Sequence, residues 1–115
     1  MNEGATKWIV TAYLFSGRPN PEWKLTKKQG ADWMKLWQQA EIHHKKVERL
    51  SLLGYTGCRL QCNEHSHWLI YNGCVSFYDK DSVVSKGDKN KEMETLLLQA
   101  APNDIKNVLR SLAIL

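Results

Sequence analysis

The chain has 115 residues, 43% hydrophobic and 24% charged, a balance that suits one soluble domain and excludes disordered, collagen-like and membrane-spanning classes. Sixteen Lys and Arg against twelve Asp and Glu leave a net charge of +4, too slight and too scattered to mark a dedicated nucleic-acid surface. The odd count of three cysteines argues against a secreted disulfide framework and for a reducing compartment.

No basic stretch followed by an apolar one opens the chain, so no signal peptide is expected, and no apolar run is long enough to span a bilayer. Residues 7–15, rich in β-branched and aromatic types, predict a strand. Ser16, Gly17, Arg18, Pro19, Asn20 and Pro21 end it, because each proline fixes its own φ and pushes its predecessor out of the helical region. Thr26 is the expected N-cap of a helix over 27–41. Trp33, Leu36, Trp37 and Ala40 recur there at helical steps as an apolar stripe, with Met34 at its edge. Gly30 weakens the first turn by about 1 kcal/mol relative to alanine. Residues 43–53 read as a break rather than a continuation, since one helix of roughly 27 residues would run about 40 Å and overhang so small a domain.

A strand over 57–62 alternates, with Cys58, Leu60 and Cys62 directed inward. The clearest local signal follows. Asn72 and Gly73, the pair favoured by type I′ turns, sit between two β-rich runs. The two-residue loop sets Tyr71 opposite Cys74, Ile70 opposite Val75, Leu69 opposite Ser76 and Trp68 opposite Phe77, so Trp68, Ile70, Val75 and Phe77 share the core face. Residues 79–90 are polar and read as a mobile loop. Two helices close the chain, one over about 90–100 and one after Pro102 with Asn103 or Asp104 as cap. The order β-α-β-β-β-α-α implies a single α+β domain over residues 1–115, with a mainly antiparallel sheet of about four strands and helices packed on one face.

Four constellations could carry chemistry. The rigid 16–23 loop would lose little entropy on binding, so it can hold Arg18, Asn20 and Trp23 ready for a partner; the competing reading makes it a mere connection with Trp23 folded onto the core. Cys58, Cys62, His65 and His67 offer metal-ligand types, but lack zinc-site spacing and put the two cysteines about 13 Å apart along a strand. Cys74 is a candidate thiol nucleophile without an orienting group. His43, His44 and Lys45 form a basic, pH-sensitive patch next to Lys46. Trp33 and Trp37 read as core, leaving Trp8 and Trp23 as the tryptophans expected at the surface.

The sequence therefore reads as a binding module rather than an enzyme. It would meet a protein or a small anionic ligand through residues 16–23, with His43, His44 and Lys45 assisting, as a monomer or homodimer in the cytoplasm. Secretion is the alternative where a signal peptide has been removed. No cofactor, metal or membrane partner is implied. The alternative functions are a nucleic-acid binder using basic and aromatic surface residues, and a small Cys/His metal or thiol protein. On this reading Arg18→Ala with Trp23→Ala abolishes binding and leaves the fold intact.

Overall fold

The computed structural model describes residues 7–14, 19–43, 55–112 and 114–115. They form an antiparallel sheet in the order β2-β1-β3-β4-β5-β6, with three α-helices. The strands are β1 (Ile9–Ala12), β2 (Glu22–Lys24), β3 (Cys58–Gln61), β4 (Ser66–Tyr71), β5 (Cys74–Asp79) and β6 (Ser82–Gly87). The helices are α1 (Lys27–Gln39), α2 (Glu92–Gln99) and α3 (Asn103–Ser111). The α+β class stands, while the strand count rises from about four to six.

Both additional strands escaped the sequence for physical reasons. β2 is only three residues long, follows Pro21 directly, and shows a period-2 pattern only in that Trp23 is buried between exposed Glu22 and Lys24. β6 occupies half of the segment expected to be a mobile loop. Its residues are largely polar, and its connection to β5 is the pair Lys80–Asp81, without glycine, so Lys80 itself takes φ 52°. That left-handed conformation costs a lysine roughly 1–2 kcal/mol, which the six-residue ladder with β5 has to offset.

The central hairpin follows the expected register: Tyr71 faces Cys74, Ile70 faces Val75, Leu69 faces Ser76 and Trp68 faces Phe77. Asn72 and Gly73 supply the positive φ values, 50° and 85°, that a type I′ turn needs. Combining the ladders gives a row across all six strands: Trp23, Val10, Leu60, Trp68, Phe77 and Val84. The adjacent row, Glu22, Thr11, Arg59, Leu69, Ser76 and Ser85, points to the opposite face. The first row is apolar; its members from Trp23 to Phe77 join the core cluster, while Val84 is exposed.

α1 starts where expected. The Thr26 hydroxyl accepts the Gln29 N–H, and the Gln29 side chain accepts the Thr26 N–H, a complete capping box. Its stripe lays Trp33 and Trp37 on the sheet, where Trp68 is the hub: ring centroids lie 4.5 Å away for Phe77, 5.0 Å for Trp33, 6.1 Å for Trp37 and 6.2 Å for Trp8. Gly30 explains itself here. A Cβ on it would sit 2.6 Å from the Trp8 indole, so the weak first turn is the condition for Trp8 to pack over α1. Trp8 is accordingly half-buried, against the expectation of a surface ring. α1 ends at Gln39, and Lys86 donates to the Trp37 carbonyl at 2.9 Å while lying 4.4 Å over its ring. Residues 44–54, including the rest of the expected break, lie outside the described residues.

α2 is tied to the same core by two indoles: Trp33 donates to the Met93 carbonyl at 3.1 Å and Trp23 to the Leu97 carbonyl at 3.0 Å. Asp88 caps α2, accepting the N–H groups of Met93 at 2.8 Å and Glu94 at 3.0 Å. Leu109 of α3 is fully buried in this same cluster. Trp68→Ala should therefore cost about 3–5 kcal/mol, measured as a lowered denaturation midpoint; a loss below about 1 kcal/mol would show that the ring cluster is not the joint between sheet and helix.

Candidate functional site on the second sheet face

Arg18, His44 and Lys45 lie outside the described residues. Trp23 is the clear correction. It is only 5% exposed, it stands in the apolar row, and its indole N–H is consumed by Leu97. The loop cannot present this ring, because the alternation that exposes Glu22 buries its neighbour. Asn20 is half-buried, and its Oδ1 accepts the Leu14 N–H at 2.8 Å, closing the loop from inside. His43 is exposed, and its backbone N–H donates to the Ser85 carbonyl at 2.7 Å beside a single bridge between Ile42 and Lys86. Asn20 thus sits at the β1–β2 edge and His43 beside β6, so the sheet lies between these two residues.

The surface that does gather polar groups is the second sheet face at its β2–β1–β3 end. An open groove of about 660 Å³ is lined by Thr11, Tyr13, Pro19, Asn20, Glu22 and Arg59. Strand alternation puts Arg59 there, since Cys58 and Leu60 on either side are core residues. Thr11 faces Arg59 across one ladder and Glu22 across the other. The Thr11 hydroxyl donates to the Glu22 carboxylate at 3.3 Å. Among the described residues the Arg59 Nε is sealed from solvent without a hydrogen-bond partner, and Arg59 makes no ion pair. Its charge is felt nearby. Burial, with the Arg59 guanidinium second, holds His67 below the usual imidazole value, and the His67 ring stacks on Tyr78 at 5.2 Å. Sequence reasoning passed over Arg59 because its significance lies in the register with Thr11, which no local pattern encodes.

A second polar cluster lies on the helix side. The Tyr55 hydroxyl donates to a Glu94 oxygen and sits 3.4 Å from the Cys58 sulfur, while the other Glu94 oxygen accepts the Asn72 N–H at 3.2 Å. Burial raises Glu94, Asp88 and Tyr55 above their ordinary values. Both carboxylates nevertheless have their hydrogen bonds met, Asp88 as a helix cap and Glu94 as a tie between α2, Tyr55 and the hairpin turn. This is framework.

The cysteines do not assemble a reactive centre. None of the three forms a disulfide; burial pushes Cys58 up to about 12 and raises Cys62 and Cys74, so the thiolate is disfavoured at neutral pH. Among the described residues no group of three or more His, Cys, Asp or Glu side chains could hold a metal ion, and no helix is long and apolar enough to cross a membrane. No protein-family model, curated protein or solved structure matches the chain.

Trp23→Ala should destabilise the fold by about 3–5 kcal/mol in chemical denaturation, where an exposed binding ring would cost almost nothing. Glu94 supplies a pH test. Its folded pKa stands above the ordinary 4.5, so its contribution to stability is fully present below that value and is lost as pH rises through the folded pKa. The stability of wild type relative to Glu94→Gln should therefore decline between acid and neutral pH in thermal or urea unfolding. A flat difference would mean that Glu94 titrates as it does in the unfolded chain.

Proposed function

We propose that this chain is a non-catalytic binding module whose groove beside Arg59 receives the anionic group of a small ligand. The reading keeps the ligand class suggested by the sequence and moves its centre from the loop tip to the sheet face, with Asn20 and Pro19 as one wall. One observation carries it: the Arg59 Nε is sealed from solvent without a hydrogen-bond partner, and Arg59 forms no ion pair, among the described residues. A cation that has lost water without gaining an acceptor is costly, and a bidentate carboxylate or phosphate relieves that cost. Among the described residues the three thiols are raised by burial and both buried carboxylates serve the frame, which supports reading the groove as a binding site.

The test is titration of the whole chain with inorganic phosphate and with butyrate, comparing wild type and Arg59→Gln. Phosphate stabilises folded proteins generally, so the variant is the necessary control. Arg59→Gln should weaken both ligands by roughly tenfold or more, the weight of a hydrogen bond to a charged group, with its circular dichroism unchanged. Equal binding by variant and wild type would overturn the reading. A single-stranded oligonucleotide bound with a steep salt dependence, in preference to either small anion, would replace it by nucleic-acid recognition.

A further inference from the structure

We infer that the groove selects a zwitterion, a small ω-amino carboxylate whose carboxylate meets Arg59 and whose ammonium meets Glu22. The inference rests on the anion-binding reading of Arg59 and adds the second half of the ligand. Glu22, Thr11 and Arg59 are consecutive members of one transverse row, so their side chains leave the same face of three adjacent strands. At about 4.8 Å per strand the acidic and basic backbones stand about 10 Å apart, with the threonine between them.

Two such charges on one face would ordinarily neutralise each other. Here they do not: the ion pair found among the described residues is Lys28 with Asp32, four residues apart on α1. The Glu22 carboxylate is instead engaged by the Thr11 hydroxyl at 3.3 Å, which orients it along the row, while both charged side chains line the one groove. An acid and a base that share a cavity without touching set two demands on an occupant. A simple anion satisfies Arg59 and is repelled by Glu22; a simple cation meets the reverse. A dicarboxylate satisfies one end only. A molecule with opposite charges at its two ends satisfies both, and Tyr13 and Pro19 in the lining supply apolar surface for a short methylene spacer.

The experiment compares butyrate, γ-aminobutyrate and glutarate on the whole chain, by calorimetry or ligand-observed NMR, for wild type, Glu22→Gln, Glu22→Lys and Arg59→Gln. Wild type should bind γ-aminobutyrate about fivefold more tightly than butyrate, the gain expected of an exposed ion pair at its upper limit. In Glu22→Gln the two ligands should bind equally. Glu22→Lys should invert the order and prefer glutarate, whose spacer matches that of γ-aminobutyrate; this gain of binding cannot arise from a damaged fold. If wild type binds both monocarboxylates equally through Arg59, the zwitterion inference fails while the anion reading survives. If neither ligand responds to Arg59→Gln, the anion reading fails and takes this one with it.

Discussion

Contact between Trp68 and the rings around it is the constraint on which this small fold depends. Trp33 and Trp37 come down from α1, Trp8 enters from the start of β1, and Phe77 stands across the hairpin, all within 6.2 Å of the Trp68 ring. Each aromatic side chain removes roughly 150–250 Å² from water, a large contribution in a chain too short for a deep aliphatic core. The rest of the framework serves this joint. Gly30 surrenders helix propensity so that Trp8 can approach, the capping box holds the weakened first turn, and Lys86 closes the other end of α1.

The same demand for apolar area explains where function can and cannot reside. Trp23 stands in the transverse row that includes Trp68, so the register that builds the core withdraws it from the surface. Alternation then places Glu22, Thr11 and Arg59 on the second face as the complement of that row. The groove is a by-product of the core's register, held by the two ladders that flank β1, which suits the proposed site with its opposite charges apart. Buried acids elsewhere follow the contrary logic. Asp88 and Glu94 are surrounded by donors and spend their hydrogen-bonding capacity on holding α2 to the sheet.

Much of this was legible where the signal is local. Asn72 and Gly73 announced the hairpin and thereby its register; Thr26 and the tryptophan stripe announced α1; Pro102 announced the start of α3. What was hidden depended on partners distant in sequence. β2 is too short to display a period, and β6 turns through a lysine that adopts a glycine's conformation. Trp23 belongs to a row assembled from six strands, and Arg59 matters only once Thr11 and Glu22 are beside it. Asn20 accepts the Leu14 amide and the Pro21 carbonyl accepts the Ala12 N–H, so Pro19 and Asn20 stand as one wall of the groove while Trp23 turns to the core.

The proposed binding face is generated by register and so makes a demand that a loop-borne site does not. The direct measurement is a backbone-amide NMR map of the whole chain as butyrate is added. The account predicts that the amides of Thr11, Glu22 and Arg59, neighbours only through the two β1 ladders, shift together and saturate at one concentration. Shifts confined to Ile42 and His43, or no saturable shift on β1, β2 and β3, would contradict it.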